Sequence, residues 1–490
     1  MKKFLKDIAP IAEAMKNYSA DGALAFHTPG HKQGLGAHSL LKELITKEGL
    51  RREVSLMEEL DDLHSPQSCI KEAEELAAKL WNADEVFFIV NGTTSAVQAM
   101  ILAALSPGDL VLVPRNAHRC VINGLILSGA IPIYLMPEVD QDFGISLNLS
   151  FETIKTAVEK YPQVKALIIV SPNYYGAAAD LSKIAKFLHE RKILLLVDEA
   201  HGAHLKFSDQ LPISAIDAGA DLSAQSTHKI LGSLTQTSML MMKSKLIDVE
   251  CVRRSVSLLQ STSPNYLLLA SLDIARLQMQ ESGAELIQRA IKLSQILRNS
   301  INKIDGLKTF DKIEGFDLDP TKVTVNVSEL GLTGIEAEKI LRYDYKIQCE
   351  LSDVNNLLFL ITYADTENEI NRLINALKKL YFHKKFSSID NKKNYQLHIT
   401  HCPLKLSPRE AFYSSTTKIN LTDAVNKICA EEITFYPPGI PILQPGELIT
   451  DEIIDYIRAN KKIGRRLIGA ADPSLNTIKI IKKNLFHNFF

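Results

Sequence analysis

The stretch VFFIVNGTTSAVQAMILAAL, residues 86–105, opens with five apolar residues and then changes its period. Val86 to Val90 is of strand length and contains no polar residue, the pattern of a strand buried on both faces. Asn91-Gly92-Thr93-Thr94-Ser95 supplies turn and helix-start residues. Beyond it Val97, Ile101, Ala104 and Leu105 recur at helical spacing and form an inner face, until Ser-Pro-Gly-Asp at 106–109 closes the helix. A buried strand passing directly into a helix is half of a βαβ unit, so the stretch predicts a parallel sheet covered by helices.

The pattern repeats. Leu110 to Val113, Ile131 to Leu135, Ala166 to Val170 and Ile193 to Val197 are four more apolar runs of strand length, with amphipathic Leu181 to Glu190 between two of them. The expected fold class is therefore α/β, with a mostly parallel central sheet flanked by helices. A charged helical stretch from about Ser271 to Lys303 leads to a second, smaller α/β pattern with strands at Val323 to Val327 and Leu357 to Thr362. A polar connector, HKKFSSIDNKKN (383–394), precedes a third segment containing the loop YPPGIPILQPGE (436–447). At 490 residues the chain exceeds what one core organises. We expect an N-terminal segment 1–20, a large domain 21–275, a small α/β domain 276–390 and a C-terminal α+β domain 391–490.

Composition narrows the function classes. Hydrophobic residues make up 46% and charged residues 23%, ordinary for a globular chain. A formal charge of -1 provides no basic surface to recruit nucleic acid or an anionic membrane. The apolar runs are far shorter than the roughly 20 residues of a membrane-spanning helix. Asp7, Pro10 and Glu13 interrupt any apolar signal-peptide core. Six cysteines (69, 120, 251, 349, 402, 429) include no C-x-x-C pair, which suits reduced thiols in the cytoplasm. A small-molecule ligand is the expected partner.

Asp198 follows the strand Ile193 to Val197, at the carboxyl edge where an open α/β sheet presents its ligand crevice. A helix or turn cap is an equally good use of an aspartate there. Asp-Glu-Ala-His is also a magnesium-binding sequence of helicases, but that role requires a partner G-x-x-x-x-G-K-[ST] loop, which this chain lacks. Downstream, Ser226-Thr227-His228-Lys229 places a lysine among small polar residues before a turn. A lysine in such company can be buried and neutralised, as an imine-forming amine requires, whereas a lone lysine is ordinarily a solvated charge. Asn91 to Ser95, between strand and helix, converges backbone N–H groups and hydroxyls where a phosphate would sit, although an ordinary N-cap looks the same. Together the three form a phosphate cup, an acid that can keep a pyridine nitrogen protonated, and an amine for a Schiff base, the needs of pyridoxal 5'-phosphate.

These residues resemble the ornithine/lysine/arginine decarboxylases of the aspartate-aminotransferase-like fold, over residues 4–470. The likeness is carried by FHTPGHKQG (26–34), LDDLHSP (60–66), VNGTTSAVQAM (90–100), RNAHRCV (115–121), VDEAHGAH (197–204), STHKILGS (226–233) and YPPGIPILQPGE. The resemblance implies pyridoxal phosphate on Lys229, with Asp198 at the pyridinium nitrogen and His118 stacked on the ring. It puts Ala200 and His201 near the other face, and gives Thr94, Ser95, Ser226 and His228 to the phosphate. His118 taken alone would be an ordinary structural histidine, and His201 and His204, spaced H-x-x-H, lack a third ligand for a metal.

The implied reaction is decarboxylation of a basic amino acid. Arginine to agmatine leads narrowly over lysine to cadaverine and ornithine to putrescine. Glu431 and Glu447 align with acidic residues that could face the substrate's distal cation, and each could equally be a solvated or capping acid. A homodimer is what the fold resemblance implies. The chain departs from the family in lacking the long N-terminal domain of larger relatives, in Gln67-Ser68-Cys69 where a glycine-containing turn is expected, and in Asn426 where a glycine is usual. The rival readings are another pyridoxal phosphate activity, an aminotransferase or a lyase, and a non-catalytic polyamine-binding protein.

Overall fold

A computed structural model describes residues 9–383, 403–436, 440–463 and 466–483. Most of the 383–394 connector, Cys402 and residues 437–439 of the proline-rich loop lie outside them. Seven strands answer to the central sheet: β1 Glu85–Ile89, β2 Leu110–Pro114, β3 Ile131–Leu135, β4 Ala166–Val170, β5 Leu194–Asp198, β6 Leu222–Gln225 and β7 Ser238–Met242. The helices that matter for the site are α1 Cys69–Trp81, α2 Gly92–Ala104, α3 Arg119–Ser128 and α4 Tyr266–Ile301. The five strands read from apolar runs fall within one residue of their expected limits. Strands β6 and β7 were not expected. Leu-Ser-Ala-Gln is short and half polar, and Ser-Met-Leu-Met-Met is rich in a residue with helical propensity.

The chain divides into two compact units, each built from two stretches of sequence: residues up to 104 with 194–287, and 105–193 with 288–490. In the first unit β1 pairs antiparallel with β7 through Phe87 and Leu240, and β7 pairs antiparallel with β6 through Leu240 and Ala224. Strand β6 then lies parallel to β5, with Ala224 opposite Asp198. The methionines Met239 and Met241 are fully buried, so tertiary burial overrides their local preference. Strand β1 is outermost here, and side chains satisfy its free edge. Glu74 of α1 accepts from the Phe88 N–H at 2.8 Å, and Gln260 accepts from the Val90 N–H at 2.8 Å while donating to the Phe88 carbonyl. A covered edge cannot template pairing with another chain.

Burial pushes the Glu74 carboxyl up to about 8, against the Phe88 hydrogen bond that favours the ionised form. The folded protein therefore holds this proton more tightly than the unfolded chain does. The resulting stability is fully present below the ordinary carboxyl value of 4.5 and is lost as pH rises through about 8. Glu74→Gln keeps an acceptor for Phe88 and removes the ionisation. Relative to the parent chain it should gain on the order of 3 kcal/mol at about pH 9 and little at about pH 4. Urea unfolding at the two pH values checks this, and an equal gain at both would refute it.

In the second unit β2 lies between β3 and β4, parallel to both, with Leu112 opposite Ile133 on one side and Leu167 on the other. Val111, Leu112 and Val113 are wholly buried, as their unbroken apolar run demands. A smaller antiparallel sheet pairs Lys322–Asn326 with Asn356–Leu360 over a core that includes Leu297, Val323, Val325, Leu357 and Leu377. The C-terminal segment pairs Ile433–Tyr436 with Ile440–Leu443 and Arg466–Ile468, and Ser415–Asn420 with Thr477–Lys483, around Ile433, Leu443, Ile453, Ile457 and Ile478. Asn426 stands at φ +63, a left-handed conformation, which explains why an asparagine serves where glycine is usual. No helix among the described residues is long and apolar enough to cross a membrane.

Candidate active site

Asp198 is the last residue of β5 and Lys229 lies four residues past the end of the adjacent parallel strand β6. Both therefore stand at the carboxyl edge of one pair of strands, where α/β folds bind ligands. Asp198 is 3% exposed, and its Oδ1 accepts from the Ala200 N–H at 3.2 Å. Lys229 Nζ lies 3.0 Å from Nε2 of buried His201. An imidazole whose Nε2 accepts offers the amine a partner without an opposing positive charge.

The Asn91–Ser95 turn behaves as its sequence suggests. Gly92 adopts φ +74 at the start of α2 and donates its N–H to the Gln236 carbonyl at 2.8 Å, and the N–H groups that follow in the first turn have no partner within the helix. Ser95 is buried and its hydroxyl donates back to the carbonyls of Asn91 and Gly92, while Thr94 is exposed. Ser226 is buried, and its hydroxyl meets that of Thr93 at 2.5 Å; Thr93 in turn reaches Ser238 at 2.9 Å. His228 is half buried with Nδ1 2.6 Å from the Thr237 carbonyl, which can only accept, so Nδ1 carries the proton. Thr93 was not among the expected residues. Its signal was its place in the same turn, and its partner Ser226 is distant in sequence.

In the second unit, His118 caps α3, accepting from the Cys120 N–H at 3.3 Å with the Cys120 thiol 3.0 Å from the same nitrogen. The ring is otherwise exposed. Glu447, expected to face a substrate cation, is fully buried and forms a two-pronged ion pair with Arg115, Nη2 to Oε2 being 2.8 Å. Its Oε2 also accepts from the Gln444 N–H at 2.8 Å. Arg115 further donates to the Ile442 carbonyl at 3.0 Å and lies over the Tyr134 ring. Glu431 accepts from the backbone N–H groups of Ala471 and Lys479, each at 2.7 Å. Both glutamates thus have protein partners, and Glu447 is committed to a guanidinium of this chain.

The LDDLHSP motif has a structural use the sequence did not disclose. Asp61, in a left-handed conformation, accepts from the N–H groups of Gln67, Ser68 and Ile70, fixing the turn into α1. That carboxylate takes over where a glycine-containing turn was expected, and none of residues 67–69 has positive φ. His64 reaches Ser257 at 2.7 Å and the Ser261 carbonyl at 2.9 Å. Among the described residues, no group of three or more histidines, cysteines or acids is placed to hold a metal ion.

Residues 9–316 match the major domain of the Orn/Lys/Arg decarboxylases, and residues 394–473 match their C-terminal domain. The chain belongs to the Orn/Lys/Arg decarboxylase family, and is thereby an amino acid decarboxylase. It is 43% identical to an arginine decarboxylase of Bacillus anthracis over 97% of each chain. It is 39% identical to an arginine decarboxylase of Bacillus subtilis, over 97% of this chain and 98% of that one. The lysine decarboxylase LdcF of Francisella novicida superposes with a TM-score of 0.85 at 24% identity, covering 97% of this chain and 81% of that one. The last likeness bears on fold and confirms the α/β architecture. Family and fold imply pyridoxal phosphate in general, and the donor set of the first unit fits it: a buried acid, an amine beside a buried histidine, and a helix start lined with hydroxyls.

Proposed function

We propose that this chain converts arginine to agmatine and carbon dioxide, with pyridoxal 5'-phosphate carried on Lys229. The observation that supports this most is the placement of Asp198, His201 and Lys229 at one sheet edge of one unit, with Lys229 Nζ 3.0 Å from His201. When bound, the cofactor supplies a protonated pyridine ring that accepts the electron pair left when carbon dioxide departs. Asp198 holds the proton on the ring nitrogen, since a close carboxylate stabilises the cation. Ser226, His228, Ser95, Thr94 and the first N–H groups of α2 bind the phosphate, and Ala200 and His201 border the ring. His201 Nε2 takes a proton from the Lys229 ammonium and returns it, so that the amine is neutral when it must be nucleophilic. The choice of arginine rests on the relatives with 39–43% identity over nearly the whole chain.

Incubating the purified chain with arginine, lysine and ornithine separately, and measuring carbon dioxide and amine together, tests the reading. Equal amounts of agmatine and carbon dioxide are expected, with kcat/KM for arginine exceeding that for lysine by about 10²-fold. A keto acid product would point instead to transamination. Borohydride reduction followed by peptide mapping should place the cofactor on the peptide containing Lys229; no adduct would favour a non-catalytic binding protein.

A further inference from the structure

Asp198 and Glu199 are neighbours at the end of β5, and successive residues of a strand point to opposite faces. Asp198 shares a face with Ala224 and Leu240, and Ser238, two residues before Leu240 on that face, meets Thr93 of the glycine turn. On the other side Glu199 is fully buried, and its carboxylate collects three donors within the same unit. Oε2 accepts from Ser223 Oγ at 2.7 Å and from Gln225 Nε2 at 2.8 Å, and Oε1 accepts from the Ala215 N–H at 2.8 Å. Ser223 and Gln225 are alternate residues of β6 and so share the face that Glu199 meets. The Glu199 N–H also continues the ladder to the Ala224 carbonyl at 3.0 Å. Gln225 is the last residue of β6, followed directly by Ser226 and the short turn Thr227–Ile230 that carries Lys229.

We propose that Glu199 is a positioning residue: its carboxylate clamps the ends of β5 and β6 from beneath, and so sets the spacing between Asp198 and Lys229 above. The inference rests on the assignment of those two residues to the cofactor. Among the described residues, the partners of this carboxylate are neutral groups and none is an arginine or lysine. Its donors are two neutral side chains of β6 and one amide, and burial pushes it up to about 7, with Asp217 adding to the effect. Asp217 itself is held by Lys206, Asn82 and Ser214. A purely structural bridge between two strands could be made by apolar contact. Three convergent hydrogen bonds fix distance and angle, which apolar contact does not.

The experiment is a double-mutant cycle on the holoenzyme with E199Q, D198N and the pair, read by kcat, KM and the circular dichroism of the bound pyridoxal chromophore. Glu199 acting through Asp198 predicts that E199Q lowers kcat by about 10–10²-fold with KM changed less than about threefold, and alters the chromophore band. In the D198N background, adding E199Q should change kcat by less than about twofold. Additive losses, or an unchanged chromophore band in E199Q, would overturn the proposal. Should E199Q fail to fold, S223A removes one of the three donors and leaves the carboxylate in place, with the same coupling to D198N expected at smaller amplitude. The band is read without substrate, so a chain that binds pyridoxal phosphate but does not decarboxylate arginine defeats the functional reading while still deciding this one.

Discussion

Replacing Lys229 with alanine should lower the rate of carbon dioxide release from arginine by on the order of 10³-fold or more, while the chain still folds. The amine serves as the cofactor's covalent anchor and as a proton carrier, and no other lysine stands at this sheet edge in the sequence 222–242. Its side chain is only half buried, so truncation leaves no large cavity and thermal stability should change little. The measurement is single-turnover carbon dioxide release together with the absorbance of dialysed protein. Activity within about tenfold of the parent chain would remove Lys229 from its role.

Asp198→Asn should lower kcat by about 10³-fold while retaining the cofactor. The amide is isosteric and can still accept from the Ala200 N–H, so local geometry survives and only the negative charge disappears. Without that charge the ring nitrogen loses its proton, and with it the capacity to hold the electron pair. Equilibrium dialysis of pyridoxal phosphate separates the two effects: binding within a few-fold of the parent chain with collapsed turnover is the expected pair of results. Lost binding with turnover per bound cofactor intact would assign Asp198 to anchorage alone.

The parts of this fold that were legible from sequence are those in which one physical requirement dominates. The apolar cores of strands β1, β2, β4 and β5 are buried on both faces, so each reads as a run of apolar residues, while β3 leaves Ile131 and Ile133 half buried on one face. Asp198 and Lys229 could be singled out because each follows such a run, or a small-residue turn, at an end where polar residues need a reason. Strand β6 could not be read the same way. Its two polar residues, Ser223 and Gln225, exist to meet Glu199, and only their alternation hinted at it. Glu447, read as an acid that could face the substrate cation or serve as a solvated or capping acid, is buried against Arg115, a partner distant in sequence that only the folded chain brings near. Asp61, quoted only as part of the LDDLHSP motif, is the hub of a turn. Ser223, Gln225 and Glu447 are polar groups satisfied by residues distant along the chain, whereas Asp61 is satisfied within its own turn.

The unit that contains Thr93, Asp198, His201, Ser226 and Lys229 is assembled from two stretches of chain, with 105–193 lying between them in sequence. A chain emerging from the ribosome therefore presents β1 and the glycine turn long before β5, β6 and β7 exist to complete them. The apolar edge of β1 that β7 later covers must wait through the synthesis of all the intervening residues, a span over which a nascent chain is open to misassociation. Vitamin capture is by the same logic a late event, and cells starved of it should accumulate chain that is already fully translated.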